Sequence, residues 1–181
     1  PEAKNRVQTP LERASDLISH RGRKEYIHAN ENFSSVYRVN QADDSSETKE
    51  NILFDGEIHN RTQLCNERGV APDASEGELL DNLYDSSGGK PHEALRDGIF
   101  SMAIHTEDGF YCARDPLGIK TLFYQEADGS RFFASELKAL EPFPGTPREF
   151  PAGHWMDGAG RLHRYADIHR EVEEIPTREN S

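Results

Sequence analysis

The chain has 181 residues, 34% of them hydrophobic, and 21 basic against 33 acidic side chains give a formal net charge of −12. That length supports one domain with a real core, and the charge repels nucleic-acid backbones and anionic membranes, so neither is expected as a partner. Two cysteines, Cys65 and Cys112, are too few for a disulfide framework or a Cys-based zinc site. No apolar run has the length of a membrane span and no charged-then-apolar leader opens the chain, which reads as cytoplasmic.

Thr9-Pro10-Leu11-Glu12 is a capping box with proline at the first helical position, and Leu11, Ala14, Leu17 and Ile18 continue it, predicting a helix over residues 10–20. Residues 25–30 and 33–40 alternate as two strands, and 41–50 is a charged loop. Asn51-Ile52-Leu53-Phe54 suits a buried strand, which Asp55-Gly56-Glu57 is expected to break in a turn. A glycine there leaves an N–H free to point at a ligand; the alternative is an ordinary Asp-Gly turn.

Asn60 is placed to cap a short helix reaching Arg68, with Gly69 as its stop. Ser75 with Glu78 is a second capping box, opening a helix through Leu79, Leu80, Leu83 and Tyr84, and residues 91–96 add one further turn. Four short strands follow at 99–105, 110–114, 122–125 and 131–134, with turns at 107–109, 116–118 and 127–129, as an antiparallel meander. Ser135 is expected to cap a short helix over 136–140, and a hairpin to turn at Asp157-Gly158-Ala159-Gly160. The charged tail 168–181 reads as a linker, leaving 1–167 as the domain. With too few helices to cover a parallel sheet, the pattern predicts an α+β fold of two sheets packed face to face with helices outside.

The eight histidines lie on separate elements without i, i+4 pairing, so no metal site is expected. Ser86-Ser87-Gly88-Gly89-Lys90 follows a predicted helix and precedes Pro91, which makes it a helix stop rather than a phosphate loop.

Six motifs rise above this background in a fixed order. They are His20-Arg21-Gly22, DGEIHN from Asp55 to Asn60, Ser75-Glu76-Gly77-Glu78, ARDPLGIKTLFY from Ala113 to Tyr124, ASELKAL from Ala134 to Leu140, and EFPAGHW from Glu149 to Trp155. Together they resemble the class II glutamine amidotransferase domain of glutamine-dependent asparagine synthetases. The resemblance implies an N-terminal-nucleophile hydrolase fold, a four-layer α-β-β-α sandwich of two stacked, mainly antiparallel sheets. It implies a domain that strips ammonia from glutamine and passes it through a tunnel to a second domain that makes asparagine. Glutamine, that synthetase domain in the parent chain and a homodimer are the implied partners. No cofactor is implied here, ATP and magnesium belonging to the synthetase domain.

Matched by motif, Gly56 supplies an oxyanion-hole N–H, Glu57 holds substrate through its backbone, and Arg38 takes the glutamine carboxylate, with an exposed strand charge as the alternative for Arg38. Arg114, Asp115, Ser135 and Glu136 match scaffold positions. The family opens with Cys-Gly-Ile, whose cysteine is the nucleophile and whose α-amino group is its base. Here the sequence opens with Pro1-Glu2-Ala3, so a fragment or processed product without that nucleophile is expected, and Cys65 and Cys112 are expected to be core residues. Asp55 stands where the family has the oxyanion-hole asparagine, and Glu76 where it has the aspartate that grips the substrate amine. His59 and Thr121 replace the usual tyrosine and proline. Two readings follow: a degenerate amidotransferase domain kept for structure or binding, or a truncated piece of an active glutamine-hydrolysing asparagine synthetase.

Overall fold

The computed structural model describes residues 8–29, 31–39, 51–95, 97–107 and 109–166. The expected loop at 41–50, the start at Pro1 and the tail from 168 lie outside them.

The first element, α1 (Pro10–Leu17), begins with the expected capping box: Thr9 Oγ1 accepts from Glu12 N–H and Glu12 Oε2 from Thr9 N–H. It is α-helical only to Leu17 and tightens into a 3-10 turn over Ser19–Arg21. The strands β1 (Lys24–Ala29) and β2 (Ser34–Val39) form a separate antiparallel hairpin.

Next, β3 (Ile52–Glu57) runs straight through the expected Asp-Gly turn. The reason lies in pairing and packing. Every residue of β3 has a partner on β4 (Ile99–Thr106), and a Cβ at Gly56 would clash with the Ile99 carbonyl and lie 2.8 Å from Phe100 Cα. The glycine therefore serves close strand approach, without any turn.

Two helices follow, α2 (Arg61–Arg68) and α3 (Glu76–Ser86). Gly69 closes α2 in the left-handed region at φ 66°, which suits glycine, but Asn60 makes no side-chain cap; its Nδ2 donates to Ala94 O instead. The capping box Ser75–Glu78 opens α3 as expected. The added turn is a 3-10 turn over Pro91–Glu93.

The expected meander is divided between two sheets. β4 pairs with β3 and with β5 (Gly109–Arg114), whereas β6 (Phe123–Ala127) pairs with β7 (Ser130–Ala134) on one side and with β8 (Arg148–Glu149) on the other. The hairpin of β9 (His154–Met156) and β10 (Leu162–Arg164) joins the first group, giving the order β10-β9-β5-β4-β3. The loop between β5 and β6 moves the chain from one sheet to the other, because its buried polar anchors hold it in a tight path described below. Ser135 caps nothing; a 3-10 helix spans Leu137–Leu140, and Ser135 O accepts from Thr121 Oγ1.

Period-2 alternation makes the five-stranded sheet two-sided. On one face Ile52, Phe100, Met102, Ile104, Tyr111 and Ala113 pack against Leu64, Cys65, Leu79, Leu80 and Leu83 of α2 and α3. On the other, Ala103 and Cys112 share a second cluster with Leu122, Tyr124 and Phe150 around the β6 sheet. α1 packs on β2 and on the 3-10 helix Leu137–Leu140, making the outer layer. This is the α-β-β-α stacking expected, with its second β layer in two pieces.

Candidate functional site

The site is organised on β3, which is an edge strand among the described residues. Two bonds fix the phase of its ladder: His105 N–H donates to Asn51 O at 2.8 Å, and Asp115 N–H to Phe100 O at 2.8 Å. Asp55 then falls in a hydrogen-bonded pair with Ser101, and Gly56 in a non-hydrogen-bonded pair with Phe100. The alternation sends the Gly56 N–H away from β4 and out of the sheet edge.

Beside that N–H, the Asp55 carboxylate is held by two cations. Arg21 Nη1 donates to Oδ2 at 2.7 Å and Lys120 Nζ to Oδ1 at 2.9 Å. Burial alone would raise the Asp55 pKa, but the hydrogen bonds and charges of Lys120 and Arg21 outweigh it and hold the carboxyl below its ordinary value. Arg21 also donates through Nε to Glu136 Oε1 at 2.6 Å, an oxygen 2.9 Å from His20 Nε2. Lys138 closes the chain of charges, 3.2 Å from Glu136 Oε2 and 3.4 Å from His20 Nδ1. Burial raises the Glu136 pKa, and the bonds from Arg21 and Lys138 more than reverse it.

Lys120 reaches Asp55 because its own backbone is fixed. Asp115, fully buried, accepts from the N–H groups of Leu117, Ile119 and Lys120 at 3.0 Å each. Arg114 donates to the carbonyls of Lys120 (2.6 Å), Gly118 (2.9 Å) and Phe150 (2.6 Å) and to Glu149 Oε1 (2.7 Å). Gly118 sits at φ 65°, and a Cβ on it would come within 3.0 Å of Ala152 Cβ and 3.2 Å of Arg114 Nη2. The motif from Ala113 to Lys120 is thus a clamp whose product is one oriented ammonium.

At the far end of β3, Glu57 is exposed, its Oε2 3.6 Å from His59 Nε2. Glu76, the first residue of α3, has its pKa raised chiefly by burial; Arg61 opposes this and Glu57 adds to it. Glu57, Glu76 and Arg61 therefore form one electrostatic group. Arg38 lines the same open groove as Asp55 and Arg21, a cavity of about 1700 Å³. Its guanidinium, 10% exposed, is engaged by Glu25 Oε2 at 2.5 Å, Ser15 O at 2.9 Å and Ser15 Oγ at 3.0 Å. It ties β2 to β1 and α1.

Both cysteines are in the core, Cys65 at 1% and Cys112 at 0% exposure, and burial pushes the Cys112 thiol far up. Neither is placed to attack a substrate. Among the described residues no cluster of three or more His, Cys, Asp or Glu side chains is placed to hold a metal, and no helix is long and apolar enough to cross a membrane.

Sequence reading missed Arg21 and Lys120 as partners of Asp55. Each lay inside a motif already noticed, but the partners are 34 and 65 positions away, and no local periodicity links them.

Stacked antiparallel sheets with helices outside are the fold of N-terminal-nucleophile hydrolases. The chain superposes on glutamine phosphoribosylpyrophosphate amidotransferase from B. subtilis with a TM-score of 0.52 at 20% identity, covering 79% of this chain and 31% of that one. A second neighbour, the allosteric regulatory enzyme of purine biosynthesis, matches with a TM-score of 0.52 at 24% identity, over 64% of this chain and 28% of that one. The family profile described as glutamine amidotransferase domain matches residues 40–142, and the chain belongs to that family. Its relatives include the probable glutamine-hydrolysing asparagine synthetase of Schizosaccharomyces pombe, 36% identical over 114 residues, 59% of this chain and 20% of that protein. Asparagine synthetase B of Escherichia coli is 34% identical over 126 residues, 64% of this chain and 22% of its own length. The glutamine-hydrolysing asparagine synthetase 2 of Arabidopsis thaliana is 32% identical over 133 residues, 70% of this chain and 23% of its own. The chain thus spans about a fifth of the length of these relatives.

Proposed function

We propose that this chain is the glutamine amidotransferase domain of an asparagine-synthetase-like cytoplasmic protein, and that as it stands it does not hydrolyse glutamine. One observation supports the reading: Asp55, held ionised between Arg21 and Lys120, precedes Gly56 on β3, at the position that the motif resemblance matches to an asparagine amide. An amide donates a hydrogen bond to a developing oxyanion, whereas a carboxylate only accepts. Loss of one such donor costs about 10²–10³ in turnover.

The buried thiols of Cys65 and Cys112 support the same reading, since acyl transfer needs an exposed, activated nucleophile. Glutamine binding would use the Glu57 backbone and Glu76 for the α-amino group, with Arg38 on the α-carboxylate if it releases Glu25. The domain itself needs no cofactor; ATP and magnesium would serve a synthetase domain of the parent protein, and the assembled protein would be a homodimer. The test is glutamine-dependent ammonia release by the purified chain. No release above the protein-free blank is expected, and steady turnover, abolished by substitution at Cys65 or Cys112, would overturn the reading.

A further inference from the structure

The charge network around Asp55 has a donor and acceptor balance that selects a ligand. It contains three cations, Arg21, Lys120 and Lys138, against two carboxylates, Asp55 and Glu136, with His20 between them. Both oxygens of Asp55 already accept a hydrogen bond, from Arg21 and from Lys120. Glu136 Oε1 meets Arg21 and His20, and Oε2 meets Lys138. The neighbouring carboxylate of Asp115 is spent on three backbone N–H groups.

Among the described residues, what remains unused is donors. Arg21 engages Nε and Nη1 and keeps Nη2, and the Lys120 ammonium has two further N–H bonds beyond the one to Asp55. The Gly56 N–H points off the strand edge one residue on from Asp55, which both cations touch. Arg21 and Lys120 are each about one-third exposed, at 34% and 31%, and Arg21 and Asp55 line the open groove, so a solute can reach them. A neutral amide group offers these donors a single uncharged oxygen and carries two N–H donors of its own. A carboxylate brings acceptors only.

We propose that this recess binds the side-chain carboxylate of an acidic amino acid in preference to the amide of glutamine, with Lys120, Arg21 and the Gly56 N–H as its donors. The inference rests on the reading that the site is not hydrolytic, and it names what the site takes instead. Lys120 is the residue that the Arg114–Asp115 clamp orients toward it.

Calorimetric titration of the purified chain with L-glutamate, L-glutamine and sulfate tests this. Glutamate is expected to bind at least about tenfold more tightly than glutamine, as one extra charge-assisted hydrogen bond implies. The affinity should fall as salt rises, be lost in Lys120→Met and be kept in Lys120→Arg, with Trp155 emission and circular dichroism confirming that both variants are folded. Equal or tighter binding of glutamine, no glutamate binding, or glutamate binding unchanged in Lys120→Met would overturn the proposal. Sulfate displacing glutamate at equal concentration would overturn the carboxylate assignment. Ammonia measured in the same cells separates the two readings: release from glutamine defeats the non-hydrolytic reading, while silence without glutamate binding defeats this one alone.

Discussion

Acid should unfold this domain through one buried histidine. His92 is 2% exposed, its Nδ1 lies 2.5 Å from the Tyr111 hydroxyl, and its ring stacks on Trp155 at 5.4 Å. Burial lowers its pKa from 6.5 to about 4; Glu93 opposes the shift and Lys90 adds to it. Because the folded-state value of this base is depressed, the unfolded chain takes up the proton first. Stability is therefore full above pH 6.5 and is lost as the pH falls from there through about 4. At about 1.4 kcal/mol per pH unit the complete loss is about 3 kcal/mol, of which about 2 kcal/mol falls between roughly pH 7 and pH 5. Urea unfolding followed by Trp155, the single tryptophan, measures it in the wild type and in His92→Gln. The variant is less stable at neutral pH but should lose about 2 kcal/mol less on acidification. Equal losses in the two proteins would refute the reasoning, because they would place the acid-labile group elsewhere.

Two further substitutions probe the scaffold of the site. Arg114→Met leaves three carbonyls and Glu149 without their charged donor and should cost about 3–5 kcal/mol in urea unfolding, with Lys120 released from Asp55. Gly56→Ala should cost at least about 1–3 kcal/mol in thermal unfolding, since the new methyl meets the Ile99 and Phe100 backbone rather than a movable side-chain tip.

What was legible in the sequence was local. Both capping boxes, Thr9–Glu12 and Ser75–Glu78, span three residues and formed as expected, because each satisfies helix-end donors from within its own segment. The hairpin closed at Asp157, whose N–H donates to Arg161 O and whose carboxylate binds Arg161 and His163. The stacked-sheet fold followed from the order of motifs. The failures were non-local. Asp55-Gly56 has the composition of a turn, and only the approach of β4 keeps it extended. Strands β4 to β7 looked like one meander because nothing in their alternation reveals that the Arg114–Asp115 clamp changes sheets between β5 and β6. Arg21 and Glu136 are 115 positions apart, and only the folded chain brings their charges together.

The central claim is that Asp55 disables the oxyanion position, and a repair experiment tests it most directly. The chain is extended at its N-terminus with the Cys-Gly-Ile strand of related domains, with and without Asp55→Asn, and ammonia release from glutamine is measured. Arg21 and Lys120 keep Asp55 ionised, so acid offers little rescue before the α-amino base is itself protonated. The extended chain carrying Asp55→Asn should turn over at least about a hundredfold faster than the extended chain that keeps Asp55. Equal rates would show that Asp55 does not line the oxyanion position and would contradict the account.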